Sequence, residues 1–285
     1  MLAPPPRATA LDGAQGRVTP VAGEPGPLLF ARFAFRPNEL GYCGGDDARS
    51  LFEHVREGVV DGDVLRLDRE FEGAWPYLQL IAASNGIADP LAREVVEAYW
   101  LGNRLLERVP PGSFIDDLET RFRARSDPNE WKWLRGHPGL GARAHHSFHV
   151  LSVLPRTGLL RGGHVADVLG AMQNCTIRPA QVAAVDGGDL IVRARPFELI
   201  GGRLVIGDPR VELARRWLEE PESPVAAGDE ARGSPVRGAG FVDDVVPGEW
   251  VALHWSWACS ILEPRQRVRL EAVTAANLRI AAEAL

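Results

Sequence analysis

The chain has 285 residues, of which 45% are hydrophobic and 25% charged, as in an ordinary globular protein with one large or two smaller domains. Its net charge of −6 argues against a nucleic-acid binder and a polybasic membrane binder. No secretory signal or run of about 20 apolar residues is visible. The three cysteines form no disulfide framework. We therefore expect a cytoplasmic protein with neither a membrane nor a nucleic-acid partner.

The first half of the chain has helical patterns. Residues 1–27 are rich in Pro, Gly and Ala, and this composition predicts a flexible arm. Residues 28–172 are interpreted as a mainly α-helical domain of unknown role. Aspartates suited to capping are expected to start three of its helices, at Asp46, Asp89 and Asp127.

Strand patterns dominate after Arg143. Residues 146–154 favour a strand. Alternation then predicts a three-stranded meander over residues 175–185, 190–199 and 204–206, with Gly-rich turns between the strands.

The C-terminal part, residues 173–285, is interpreted as a small OB-like β-barrel domain. Within it, residues 219–244 are rich in Glu, Pro, Gly and Ala and predict an exposed loop excursion. A strand carrying His254 follows, and a helix from about Pro264 closes the chain. The fold class expected for the whole protein is therefore α+β.

Two segments of this C-terminal part carry a specific pattern. The first is Cys175-x-x-x-Pro179-x-x-Val182, and the second is Gly248-Glu-Trp-Val-x-x-His254, followed by a final helix. In order and spacing these segments resemble the HypC/HupF family of nickel–iron hydrogenase maturation chaperones. The resemblance covers roughly residues 174–285.

The resemblance implies a function for this part of the chain. It implies a chaperone that carries an iron centre transiently and binds the hydrogenase large subunit or a maturation scaffold protein. Cys175 is then the implied iron ligand and His254 its supporting group. Candidate partner contacts are Pro179, Trp250 and Trp255. In that family the cysteine is N-terminal, whereas Cys175 lies within the chain, so a role for a free α-amine is excluded.

Simpler interpretations of the same residues remain open. A cysteine at the start of a strand is often a small buried residue, and a strand histidine is often half-buried and hydrogen-bonded. In that case the barrel is a metal-free protein-interaction module.

A second group of candidates lies in the helical part. His145, His146 and His149 form a cluster, and two of them with Cys43 or Asp46 make a donor set suited to zinc, nickel or iron. The alternative function is therefore a metal- or thiol-dependent enzyme centred on Cys43 and these histidines. Histidine clusters are also frequently structural, and no known ligand spacing accompanies this one.

Overall fold

A computed structural model of the chain describes residues 23–155, 165–219 and 238–282. Helices occupy its first part, strands follow from residue 178, and one long helix closes it, so the α+β class is confirmed. No helix in these ranges is both long and apolar enough to cross a bilayer.

The helical part begins earlier than its composition predicts. Its helices are α1 (Gly26–Glu39), α2 (Ala48–Glu57), α3 (Gly62–Arg69), α4 (Trp75–Ser84), α5 (Arg93–Trp100), α6 (Pro111–Phe122), α7 (Pro128–Leu134), α8 (His146–Phe148) and α9 (Val165–Cys175). The flexible arm expected over residues 1–27 is wrong at its end, because Gly26 and Pro27 are buried in the first turn of α1. The remainder of that arm, residues 1–22, lies outside the described residues.

Local capping explains where several helices start. The carboxylate of Asp47 accepts a hydrogen bond from the Ser50 backbone N–H at the start of α2. Asp127 and Glu130 form a complete capping box at the start of α7. The start predicted at Asp89 is wrong, since that side chain caps only a turn before α5.

The strand predicted for residues 146–154 is also wrong. This segment is α-helical in α8 and then π-helical over His149–Val153. Val150 and Leu151 are adjacent in the chain, and both pack with Leu278 of the closing helix. In a strand, these two side chains would point to opposite faces. Tertiary packing therefore overrides the β-propensity of this run.

The C-terminal part contains a closed sheet. Its strands are β1 (Arg178–Asp186), β2 (Asp189–Ala194), β3 (Phe197–Ile200), β4 (Arg203–Ile206), β5 (Arg210–Arg215), β6 (Trp217–Glu219), β7 (Gly238–Gly240), β8 (Trp250–His254) and β9 (Trp257–Ile261), and the closing helix is α10 (Pro264–Ala282). Strands β1, β2, β5, β9 and β8 are hydrogen-bonded in that order, and β8 pairs back with β1. Only the β5–β9 pair is parallel among them.

This topology corrects the predicted meander. The run over 190–199 divides into β2 and β3, and among the described residues β3 pairs with β4 alone, in a separate hairpin. The third barrel strand along the chain is β5, which pairs with β2. The OB-like character of the barrel itself stays a prediction.

The predicted excursion over residues 219–244 is wrong where it can be checked. Residues 220–237 lie outside the described residues. After them, β7 pairs with β6, and Phe241 and Val242 are buried, so this end of the segment belongs to the folded protein.

One hydrophobic cluster spans the two predicted domains, beside a separate cluster inside the barrel. The boundary expected near residue 172 falls inside α9. Phe35 of α1 and Phe52 of α2 contact Trp257 of β9, with ring centroids 5.2 and 6.4 Å apart, respectively. These residues belong to a single buried cluster that extends from α1 to α10.

One buried carboxyl in the helical part predicts a pH effect on stability. Asp68 of α3 is fully buried, and neither carboxyl oxygen has a hydrogen-bond partner among the described residues. Burial raises the pKa of Asp68 well above its usual value. A group with a raised folded-state pKa favours the folded state at low pH, and that contribution is lost as the pH rises.

We therefore expect Asp68→Asn to raise the free energy of unfolding at pH 8 and to change it little at pH 4. The gain should be about 1.4 kcal/mol for each unit by which folding raises the pKa of the Asp68 carboxyl. Only the part of that rise that lies below the pH of the measurement contributes. Urea denaturation at pH 4, 6 and 8 measures it. Asp63→Asn, an exposed change on the same helix, should stay within about 0.5 kcal/mol of the parent protein. A gain independent of pH would contradict the explanation.

Candidate metal centre

Cys175 ends a helix instead of opening a strand. It is the last residue of α9, and the Thr176 backbone N–H continues the helical pattern by donating to the Met172 carbonyl. The first barrel strand begins three residues later. The thiol is partly buried and lies at the joint between the helical part and the barrel.

His254 is the last residue of β8 and is almost fully buried. Its Nδ1–H donates to the Phe33 carbonyl of α1 at 2.7 Å. This bond places the remaining lone pair on Nε2, since neutral imidazole carries one proton. That Nε2 atom is buried and has no hydrogen-bond partner among the described residues. Its lone pair is therefore available to coordinate a metal ion.

A strained turn fixes His254 beside the end of α9. Trp255 and Ser256 join β8 to β9 with φ angles of 53° and 56°, in the left-handed region that non-glycine residues seldom adopt. The Trp255 ring stacks on Tyr42 at 4.0 Å, and its backbone N–H donates to the Asn174 carbonyl. Strain of this type is often retained at functional sites, where surrounding contacts hold it.

His146 completes the group from the helical part. Its Nε2 lies 3.9 Å from the Cys175 Sγ and donates its proton to the Cys175 carbonyl at 2.8 Å. Its Nδ1 accepts a hydrogen bond from the Tyr99 hydroxyl at 3.0 Å. One donor atom each from His146, Cys175 and His254 lies within 4.8 Å of the other two. We call these three residues the His–Cys–His cluster.

The charge state of this cluster is set by burial. Burial lowers the pKa of His254 to about 4, against the opposing effects of the Phe33 and Cys175 carbonyls. Burial, and then the neighbouring His254, hold the pKa of His146 well below its usual value. Burial raises the pKa of Cys175 to about 12, and Cys43 adds to that rise. At neutral pH the cluster therefore consists of two neutral imidazoles and a protonated thiol.

The other two histidines of the predicted helical group do not join the cluster. His145 is fully buried; its Nδ1 accepts from the Ser147 backbone N–H, and its Nε2–H donates to the Trp100 carbonyl. Nδ1 thus caps the start of α8, and Nε2 joins that start to the end of α5. His149 lies against Tyr77, with ring centroids 5.7 Å apart. Burial lowers the pKa of each of these histidines to about 3.

The remaining cysteines lie in different surroundings. Cys43 is exposed, next to the Tyr42 ring that covers Trp255, and is near enough to influence the pKa of the Cys175 thiol. Among the described residues, no hydrogen bond joins the Cys43 thiol to a histidine. Cys259 is fully buried in the shared core.

The predicted partner contacts divide between two places. Trp255 lies in the turn beside the cluster. Pro179 of β1 and Trp250 of β8 instead line a cavity between the barrel and α10.

Sequence reasoning separated residues that the fold brings together. The Cys175 and His254 pair was expected, but His146 was assigned to a different site. Tyr99 and the Phe33 carbonyl, which orient the two imidazoles, were missed altogether. No rule of sequence spacing links residues so far apart in the chain. Their proximity is therefore visible only in the folded structure.

Together, the fold and the site define an α+β protein in which a buried His–Cys–His cluster joins a helical part to a five-stranded closed sheet. The chain belongs to the family of unknown function DUF6390, whose sequence profile matches residues 22–285. That match runs across the helical part and the barrel alike. No curated protein and no solved structure matches the chain.

Proposed function

We propose that this protein is an accessory chaperone that holds a transition-metal ion, with iron as the first candidate, during assembly of nickel–iron hydrogenase. The observation that carries the proposal is the convergence of Cys175, His254 and His146 within 4.8 Å. Cys175 and His254 are the pair that the HypC/HupF resemblance implies. His146 adds a third donor from outside the region of resemblance.

The donor set fits a soft or borderline metal. Thiolate and imidazole together suit iron, zinc and copper better than magnesium or calcium. The orphaned Nε2 of His254 is already oriented by the Phe33 carbonyl, as outer-shell partners of metal ligands usually are. His146 reaches a metal through Nε2 when its proton moves to Nδ1, and the Tyr99 hydroxyl can then accept instead of donate. Three protein donors leave a position open for the rest of a cargo centre.

The electrostatics favour binding over turnover. A thiol with a pKa of about 12 is almost wholly protonated at pH 7, so Cys175 without a metal is a poor nucleophile. A bound cation removes that proton, because metal ligation requires the thiolate. The alternative enzyme centred on Cys43 has weaker support, since His145 and His149 are engaged elsewhere.

The closed sheet supports the OB-like fold, and the free thiols support a cytoplasmic location. Five strands closed on themselves, with Cys175 just before the first and His254 ending β8, agree with the OB-like prediction. We place the protein in the cytoplasm, where three free cysteines are readily kept reduced. The expected partner is the hydrogenase large subunit or a maturation scaffold.

An anaerobic affinity capture from the native cell, with hydrogenase expressed, tests this function. We expect recovery of a hydrogenase subunit or maturation factor, together with iron whose cyanide and carbon monoxide ligands give infrared bands. Cys175→Ser should lose the iron and its bands. A metal-free protein that still captures the subunit would leave only a docking module. Recovery of neither partner nor iron would refute the proposal.

A further inference from the structure

A cavity of about 660 Å³ lies away from the His–Cys–His cluster. Its walls come from β1, β2 and β8 of the barrel, the β3–β4 hairpin and α10. This volume is within the usual range for small-molecule sites. The β3–β4 hairpin supplies one wall of this partly open cavity.

The lining of this cavity is strongly basic. Arg178, Arg193, Arg195 and Arg267 line it together with a single carboxylate, Glu271. The chain as a whole carries a net charge of −6. The cavity thus concentrates positive charge on an acidic protein, and such a surface attracts anions.

Two buried polar atoms of the lining have no partner. Arg178 is 5% exposed; its Nη2 donates to Glu212 at 2.8 Å, whereas its buried Nη1 has no hydrogen-bond partner among the described residues. The Oγ1 of Thr274 on α10 is likewise buried and unpartnered. Leaving such groups unsatisfied costs about 1–3 kcal/mol each, more for a charged one. An oxyanion that accepted a hydrogen bond from either group would relieve that cost.

The rest of the cavity is apolar. Pro179, Phe197 and Ile206 line it, and Trp250 contributes its indole. The Arg267 guanidinium lies over the Trp250 ring, 4.5 Å from its centroid. A ligand that fills this space needs an apolar body as well as a charged group, so inorganic phosphate alone would satisfy only half of the lining.

We propose that this cavity binds a small organic anion, with a phosphate or carboxylate held by Arg178 and Thr274 and an apolar body against Phe197 and Trp250. Arginine is suited to either oxyanion because its planar fork matches both. None of the lining residues belongs to the His–Cys–His cluster, so the proposal does not rest on the proposed chaperone function.

Fluorescence titration of the full-length protein with 1-anilinonaphthalene-8-sulfonate tests the site, since this dye combines an aromatic body with one anionic group. We expect saturable binding that is competed by adenosine monophosphate or by benzoate, and the better competitor identifies the oxyanion. The neutral counterparts, adenosine and benzyl alcohol, should compete at least tenfold less well.

Variants assign the binding to this cavity. Arg178→Gln should weaken dye binding at least tenfold, and Thr274→Val, a change of similar shape that retains the fold, at least threefold. Arg203→Gln, on an exposed position of β4 outside the lining, should bind as the parent protein does. No saturable binding, equal competition by charged and neutral compounds, or unchanged affinity in both cavity variants would overturn the proposal.

Discussion

Anaerobic titration with cobalt(II), a spectroscopic substitute for iron or zinc, should load one ion per chain and produce a thiolate-to-cobalt charge-transfer band. The band is expected because Cys175 is the thiol of the His–Cys–His cluster. Cys175→Ser should abolish it. His254→Ala should lower the affinity at least about 100-fold, since even outer-shell changes at metal sites cost 10–100-fold.

The pH dependence of this affinity follows from the charge state of the free cluster. The thiol has a pKa of about 12 and must lose its proton to bind, whereas His254, with a pKa of about 4, is already neutral. Binding therefore releases one proton, and the affinity should rise about tenfold per pH unit between pH 6 and 8. If the pH dependence showed that binding releases two protons, a second thiol would also be a ligand. Cys43→Ser would then reduce the number of protons released to one.

Matched controls separate ligation from damage to the fold. Cys259→Ala removes a buried thiol that faces the His254 backbone but is not part of the His–Cys–His cluster. His54→Gln removes a histidine bonded to Asp61 on the helical surface. Both should bind cobalt as the parent protein does. Tyr99→Phe retains all three ligands but loses the hydroxyl that orients His146, so we expect a loss of about tenfold. Unaltered binding in Cys175→Ser would refute the proposed centre.

The site was only partly predictable from the sequence. Cys175 and His254 could be paired because the HypC/HupF-like spacing pattern joins two segments of one small barrel. His146 could be identified as a candidate but not placed, because its position depends on the tertiary contacts that bring α8 to the end of α9. Its neighbour His145 is equally conspicuous in the sequence, yet one of its nitrogens caps α8 and the other bonds to the Trp100 carbonyl. Hydrogen-bond partners, which decide between ligand and structural histidines, are not encoded in local spacing.

The fold shows the same division between local and distant determinants. Capping at Asp127, and at Asp47 one residue after the predicted Asp46, was recognisable because each involves only neighbouring residues. The boundary near residue 172 had no such local basis. Periodicity identifies an apolar face but does not specify what covers it, and α1 is buried by elements on both sides of that boundary.

The shared core leads to the second large effect, that of Trp257→Ala. The Trp257 ring, 1% exposed, lies between Phe35 and Phe52 of the helical part and Phe241 of the barrel part. Removing a buried tryptophan costs about 3–5 kcal/mol. If the helical part and the barrel form one cooperative unit, both should lose that stability together. Hydrogen exchange should therefore show an equal fall in protection for the slowest amides of α4 and of β2.

The surface variant Val211→Ala provides the control for this experiment. Val211 lies on β5 and is 65% exposed, so its truncation should change stability by no more than about 0.5 kcal/mol. Two separate unfolding transitions in Trp257→Ala, with α4 fully protected, would instead establish two independent domains. A single transition would mean that the helices and the barrel unfold as one unit. His146 then stays beside Cys175 and His254 only while the whole protein is folded, and global unfolding releases any metal held there.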